Sequence, residues 1–292
     1  MTAFTRDTAP GVGTAAGVGS EDGALDAYDA LERRIWDGRA DAYAASFARL
    51  CAHPVPALLD AAGVVPGTAV LDVGTGTGAA AAAAGARGAR VTAVDAEPSM
   101  LAAARRNAPG AVVRAATLPE LPFGDGEFDA VVGNFVLNHV GRQPAALTEL
   151  CRVLRPGGRL ALTVWAQPAL PGQTLLGRAV EAAGTPRPAH LPPAPPALQA
   201  AGTPDGLAAL VADAGLRDVE VDVLRWEHRT TPEDWWAGPA GRVAFIGELL
   251  HHQTPELRAS VKAHFERLAE EFREPDGLLA LPHAALLVSG RR

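Results

Sequence analysis

Cysteine is nearly absent from this sequence. There are two in 292 residues, Cys51 and Cys151, far apart and in no CxxC pair or Cys/His cluster. That excludes a zinc site of ordinary spacing, so no metal is expected, and it points to a reducing, cytoplasmic compartment. No run of about 18 apolar residues occurs, so no membrane span is expected. The first residues lack the basic start and apolar core of a secretory signal. Basic charge is in deficit: 26 Lys and Arg face 33 Asp and Glu, for a formal net charge of -7. A chain that neutralises a row of phosphates needs a basic face, so nucleic acid is not an expected partner. Aromatics make up only 5%. What is plentiful is apolar: 48% of the residues, ample for one large domain or one and a half.

Residues 1–22 are rich in Gly, Ala, Thr and Ser without periodicity and read as a flexible tail. Over 23–60 the pattern is helical, marked by Leu31, Ile35, Phe47 and Leu50 and interrupted at His53-Pro54 and Val55-Pro56. Beyond Gly63 the rhythm changes. Short apolar runs at 68–73, 89–96, 111–116, 127–136 and 159–166 alternate with helical stretches. Among these are 98–107, with Pro98 near its start, and 143–154, ended by Pro156-Gly157-Gly158. Near-continuous apolar strands alternating with helices predict an α/β fold with a doubly wound, mostly parallel sheet covered on both faces. Residues 185–196 are proline-rich and predict an irregular connection. A helix at 204–215, an alternating strand at 217–228, helical patterns within 232–272 and a strand at 283–290 follow, giving seven strands. The expected layout is an N-terminal helical cover (23–60), a Rossmann-like core (61–229), a helical lid (230–275) and a final strand of the core sheet (276–292).

The stretch VLDVGTGTGA, Val70 to Ala79, places three glycines two apart just after an apolar run. In a βαβ unit such a turn lets backbone approach a ligand, and an acid ending the second strand binds a ribose hydroxyl pair. Asp95, 21 positions after Gly74, has that placement. Alone, the stretch is ambiguous. Gly74-x-Gly76-x-x-Ala79 also fits the looser dinucleotide fingerprint, which leaves a nicotinamide or flavin enzyme open, and both Asp72 and Asp95 can be plain strand-end caps.

Four segments in order carry more: VLDVGTGTG, VDAEPSML, LPFGDGEFDAVVGNFVLNHV and ELCRVLRPGGRLALTVW. Together they resemble the class I S-adenosylmethionine-dependent methyltransferases, in particular the small-molecule group similar to the ubiquinone/menaquinone C-methyltransferases. The resemblance covers roughly residues 36–166. It implies S-adenosyl-L-methionine as cofactor, leaving as S-adenosyl-L-homocysteine. It implies that Asp72 holds the loop or the methionine amino group, that Gly74, Gly76 and Gly78 let the chain pass the methionine and ribose, and that Asp95 accepts both ribose hydroxyls. Ala96 and Met100 would line the adenine face, and Asn134 would lie near the methionine. An N-terminal cover is implied as well, with Tyr43 toward the cofactor and Trp36 toward the substrate. Relatives usually carry Gly-Asp just before LPF; here Thr117 and Leu118 stand at that place, a hydroxyl where the family has a charge. Met100 also fits a plain core role, and Thr117 a strand end.

A methyl group on a sulfonium leaves by in-line displacement, and the departing sulfide is neutral. The enzyme therefore mainly aligns the reactants and excludes water. A base helps when the acceptor is a hydroxyl, an enol or a carbon acid, and histidine is the natural one near neutral pH. His139 follows the fourth strand, beside the expected methyl site. His251 and His252 are adjacent on a lid helix, so at most one points inward. His228 shares a strand face with Trp226 and reads as structural; His283 completes the set. Asn138, Trp235 and Trp236 are further candidates for substrate contact. The lid side chains Phe245, Ile246, Leu249 and Leu250 either wall an apolar acceptor or pack the lid on the sheet. The expectation is methyl transfer to an O or C atom of a small, largely apolar molecule in specialised, natural-product metabolism. Two rivals stand beside it: a cyclisation or rearrangement on the same fold with methyl transfer lost or secondary, and a cofactor-sensing binding protein. The expected partners are the small-molecule substrate and, at most, a second copy in a homodimer.

Overall fold

The computed structural model describes residues 21–292. The tail expected over 1–22 lies outside these residues, save that Glu21 and Asp22 already belong to the first helix. Four helices open the chain: α1 (Glu21–Trp36), α2 (Ala40–Ala45), α3 (Ala48–Ala52) and α4 (Val55–Ala61). The prolines expected to interrupt this region start α4 instead, with Pro54 as its N-cap and Pro56 in its first turn, where a missing N–H costs nothing.

Strands β1 (Ala69–Val73), β2 (Arg90–Asp95), β3 (Val112–Ala115), β4 (Phe128–Asn134) and β5 (Leu154–Trp165) follow. They alternate with helices α5 (Ala79–Ala86), α6 (Pro98–Asn107) and α7 (Gln143–Val153). Helices α8 (Pro171–Ala182) and α9 (Pro204–Asp213) lead to β6 (Arg217–Thr230). Three helices, α10 (Pro232–Ala240), α11 (Ala244–His251) and α12 (Pro255–Ala269), then precede β7 (Leu279–Arg291). The sheet has seven strands in the order β3-β2-β1-β4-β5-β7-β6. All neighbours are parallel except β7, which lies antiparallel between β5 and β6.

Each face of the sheet is read directly from alternation along the strands. Leu71, Val131, Leu160 and Leu162 point to one side and pack with Leu147 and Leu150 of α7 and Leu207 and Val211 of α9. Val70, Ala130, Val132 and Ala161 point to the other, against Leu58 and Leu59 of α4 and the small side chains of α5. Helices α9, α10 and α12 all begin at Thr-Pro. In each, the threonine hydroxyl accepts the N–H of the third residue on, and the proline takes the first helical position.

Two elements depart from the sequence expectation. Strand β5 starts at Leu154 rather than 159, because the chain through Pro156-Gly157-Gly158 stays in the sheet across a register shift: Phe128 pairs with Leu154, then Ala130 with Arg159. Helix α8 was not expected at all. It carries Gly172 and Gly177, poor helix formers. A Cβ on Gly172 would come 2.6 Å from the Pro282 carbonyl oxygen, so its bareness lets the helix lie close on β7.

The strand order reverses around β1, whose neighbours are β2 on one side and β4 on the other. In an open α/β sheet this leaves a crevice at the carboxyl ends of the strands, where ligands bind.

Candidate active site

A cavity of about 990 Å³ occupies that crevice, roofed by α1, α2 and the lid helices. Its floor begins with the glycine loop. Gly74 and Gly76 both have positive φ, +66° and +54°. A Cβ on Gly74 would lie 2.3 Å from Val136 Cγ2, whereas one on Gly76 would meet nothing nearer than Tyr43 Cε1 at 4.0 Å. Gly74 is thus a packing glycine, and Gly76 bares its backbone toward the cavity. Gly78 lies outside the cavity lining; its role is close packing, since a Cβ there would stand 3.0 Å from Ala104 Cα in α6.

Asp72, almost wholly buried, does not line the cavity either. It accepts a 2.6 Å bond from the Thr75 hydroxyl and so holds the loop. Burial pushes its carboxyl up to about 6, and its Oδ1 has no partner among the described residues. Asp95 does reach the cavity. Its Oδ2 accepts the Gly76 N–H at 2.8 Å and its Oδ1 the Glu97 N–H at 3.0 Å. Each oxygen keeps a second lone pair, so the carboxylate is fixed by backbone and still able to accept. Burial raises its pKa, partly offset by those N–H bonds. Glu97 caps α6 through Met100 N–H at 2.7 Å and also accepts Gly38 N–H at 3.2 Å, joining the cover to the sheet edge.

Ala96, Met100, Thr117, Leu118, Asn134 and Tyr43 all line the same cavity. Asn134 is engaged within the chain: its Nδ2 donates to the Cys51 carbonyl and its Oδ1 accepts from the Thr163 hydroxyl, both at 2.7 Å. Burial holds the Tyr43 hydroxyl well above its ordinary range, so it stays protonated.

Beyond Asn134 the chain turns sharply. Phe135 adopts φ 61°, costly for an aromatic residue, and is held there by its N–H bond to the Thr163 hydroxyl and by stacking on Trp165 at 4.1 Å. The single 3-10 turn that follows, Val136–His139, delivers His139 to the cavity. Its Nδ1 lies 2.8 Å from Glu32 Oε2 in α1. A carboxylate can only accept, so Nδ1 carries the hydrogen and Nε2 the lone pair. Trp36 Nε1 stands 3.3 Å from the same carboxylate and 3.4 Å from Nδ1; with Nδ1 acting as donor, the indole N–H goes to Glu32. Helix α1 is clamped over this turn by Tyr28 donating to the Asn138 carbonyl at 2.8 Å, by Gly141 N–H donating to Asp29 at 2.6 Å, and by an Arg142–Asp26 pair.

The other candidates divide. Trp36 and Trp235 line the cavity; Trp236, the next residue round α10, does not and is stacked on Phe265 of α12 instead. Asn138 is likewise outside, with Oδ1 turned to the Trp165 N–H at 3.4 Å. Neither His251 nor His252 reaches the cavity. His251 edges a separate pocket of about 300 Å³ on the outer face of the lid, and His252 is tied to Glu248 at 3.1 Å. His283 does line the cavity, together with Trp165 and Phe135. Glu32 was missed from sequence, since no local signal links it to His139. Among the described residues no group of three or more His, Cys, Asp or Glu is placed to hold a metal ion. No helix among them is long and apolar enough to cross a membrane.

The comparisons with known proteins agree with this geometry. A family model described as "Methyltransferase domain" matches residues 71–162. A demethylmenaquinone methyltransferase of Beutenbergia cavernae is 36% identical over 171 residues, 56% of this chain and 71% of that protein. Further demethylmenaquinone methyltransferases match over less than half of their own length. Among solved structures, Haemonchus contortus phosphoethanolamine N-methyltransferase 2, with S-adenosylhomocysteine bound, superposes with TM-score 0.51 at 17% identity, over 94% of this chain and 60% of that one. The [4+2]-cyclase SpnF superposes with TM-score 0.50 at 16% identity, over 84% and 82%. These two show the shared fold. By its fold and its sequence relatives, the chain belongs to the class I S-adenosylmethionine-dependent methyltransferases and is related to the menaquinone C-methyltransferases.

Proposed function

We propose that this enzyme methylates an O or C atom of a small, largely apolar, hydroxylated ring compound, in specialised metabolism within the cytoplasm. The observation that carries the reading is the Glu32–His139 pair, which faces the cavity between the glycine-loop half and the aromatic half. The residues present suit the cofactor. Asp95 presents a fixed carboxylate with lone pairs to spare for a ribose diol, Gly76 leaves bare backbone beside it, and Ala96, Met100, Thr117 and Leu118 offer a mostly apolar slot for a base. When bound there, S-adenosylmethionine supplies an electrophilic methyl group on a sulfonium.

The chain's own part is alignment, water exclusion and proton handling. Glu32 accepts the Nδ1–H of His139, fixes its tautomer and steadies the imidazolium that forms when Nε2 takes a proton from the acceptor. The Glu32 side chain is only 12% exposed and His139 36%, so the carboxylate is shielded from water while the imidazole keeps an accessible edge at the cavity. Phe47, Phe135, Trp165 and Phe245 wall the remainder of the cavity, which favours an apolar or aromatic acceptor. The hydroquinone form of the demethylmenaquinone named for the relatives fits this description, and it makes the first panel: reduced demethylmenaquinone analogues and other phenols, with S-adenosylmethionine bearing a labelled methyl group. The expected product is heavier by one methyl group. A product formed equally well with S-adenosylhomocysteine, and without the added mass, would favour cyclisation or rearrangement instead. Absence of binding to millimolar S-adenosylmethionine would defeat both.

A further inference from the structure

The cavity has a second polar end. Asp95 on β2 and His283 on β7 lie four strands apart on the same sheet edge, about 19 Å at the usual strand spacing. His283 is 1% exposed, and its Nδ1 lies 2.8 Å from the Leu281 carbonyl. A carbonyl only accepts, so Nδ1 carries the hydrogen and Nε2 is left as an acceptor on a ring that lines the cavity. Three indoles surround the ring: Trp165 at 6.0 Å, Trp226 at 6.0 Å and Trp235 at 5.5 Å between centroids.

Unpaired polar atoms gather here. Trp226 Nε1, Trp235 Nε1 and His228 Nδ1 are buried without a partner among the described residues. His228 stands 5.6 Å from Trp235 and 6.3 Å from His283. Folded chains pair nearly all such atoms, because each one left unpaired costs about 1–3 kcal/mol. Of these three residues Trp235 lines the cavity, as His283 does, so a ligand there is in reach of an unpaired indole N–H and an imidazole acceptor, while Trp226 and His228 stand behind them. Burial pushes His283 down to about 4, so the ring is neutral near pH 7 and its lone pair is open to a donor.

We propose that His283 is the specificity-determining residue for the acceptor: its Nε2 receives a hydrogen bond from a hydroxyl on a planar aromatic substrate lying between Trp165 and Trp235. This rests on the methyl-transfer reading and narrows its substrate class to phenols and hydroquinones that keep one free hydroxyl at the end away from the cofactor. A capped or missing hydroxyl leaves the buried acceptor unpaired, which is how a site rejects a near-isostere.

The test uses calorimetry on the full chain with three probes: 2-naphthol, 2-methoxynaphthalene and naphthalene. Wild type is expected to bind 2-naphthol about tenfold more tightly than 2-methoxynaphthalene. His283→Phe is expected to reduce that ratio to about twofold or less while naphthalene affinity holds; His283→Gln, which keeps an acceptor, is expected to retain about three- to fivefold. No binding of 2-naphthol to wild type, equal binding of 2-naphthol and 2-methoxynaphthalene, or an undiminished preference in His283→Phe overturns the proposal. The wild-type ratio stands even if a variant fails to fold. S-adenosylmethionine titrated into the same samples separates the two readings. Cofactor binding without the 2-naphthol preference sinks the His283 assignment alone, whereas absent cofactor binding sinks methyl transfer.

Discussion

His139 and Glu32 stand 107 positions apart in the chain and 2.8 Å apart in space. Under the proposed function, this contact is what ties helix α1 to the proton-accepting group. Glu32→Gln is expected to lower kcat about 10- to 100-fold, and His139→Ala about 10²- to 10⁴-fold, with little change in S-adenosylmethionine affinity. Steady-state kinetics over a pH series checks this. The Glu32 variant should also alter the pH profile, which a change in packing alone would leave in place.

Asp95→Ala is expected to weaken S-adenosylmethionine binding by about 100-fold, through loss of charge-assisted bonds to the ribose. No histidine variant should match it. Because Asp95 also accepts the Gly76 and Glu97 N–H groups, a thermal melt of the variant accompanies the calorimetry. Equal cofactor affinity in a folded Asp95→Ala protein would contradict the ribose assignment.

Gly74 and Gly76 should respond differently to alanine. At Gly74 the added Cβ meets Val136 at 2.3 Å, and Gly74→Ala is expected to lower stability by about 1–3 kcal/mol in a urea titration. At Gly76 no atom stands closer than 4.0 Å, so Gly76→Ala should cost only about 1 kcal/mol of backbone strain while sharply reducing cofactor affinity.

Acid should act on the fold through opposing groups. Burial holds His228 and His283 down to about 4, against an ordinary 6.5. Their contribution to stability is therefore complete above pH 6.5 and lost as pH falls from 6.5 through 4, at about 3 kcal/mol for each full shift. Asp72, raised from 3.8 to about 6, works the other way: its stability is complete below pH 3.8 and lost as pH rises through 6. Wild-type Tm is expected to fall only modestly between pH 6.5 and 4.5. His228→Phe should flatten that fall. Asp72→Asn should steepen it and should raise Tm at pH 7.5. Melts across this range decide.

The central strands β1, β4 and β5 were legible because they are buried on both faces and so read as short apolar runs, whereas the edge strand β6 was legible by its alternation. β2 over Arg90–Asp95 and β4 over Phe128–Asn134 fall within a residue or two of the expected spans. Asp95 was legible because one βαβ unit fixes its distance from the loop. Glu32 was not, since its pairing with His139 exists only once α1 has folded across the turn after β4. The lid shows the same limit. Trp235 and Trp236 are adjacent on α10, and nothing in their order says which faces inward; the structure turns Trp235 to the cavity and Trp236 to Phe265. His251 and His252 both stay outside the cavity, because the C-terminal end of α11 lies away from it, a placement no local pattern encodes. Helix α8 escaped because its glycines serve closeness to β7 rather than helix propensity.

Strand β6 has one neighbour, β7, and β7 comes after the whole lid in the chain. A growing polypeptide thus leaves the ribosome with the glycine loop and Asp95 already able to assemble, while β6 waits unpaired for its partner. Strand β7, between β5 and β6, joins the two and carries His283 to the cavity. A chain halted within α12 would hold the glycine loop and Asp95 but lack β7, and with it His283 and the strand that joins β6 to the sheet.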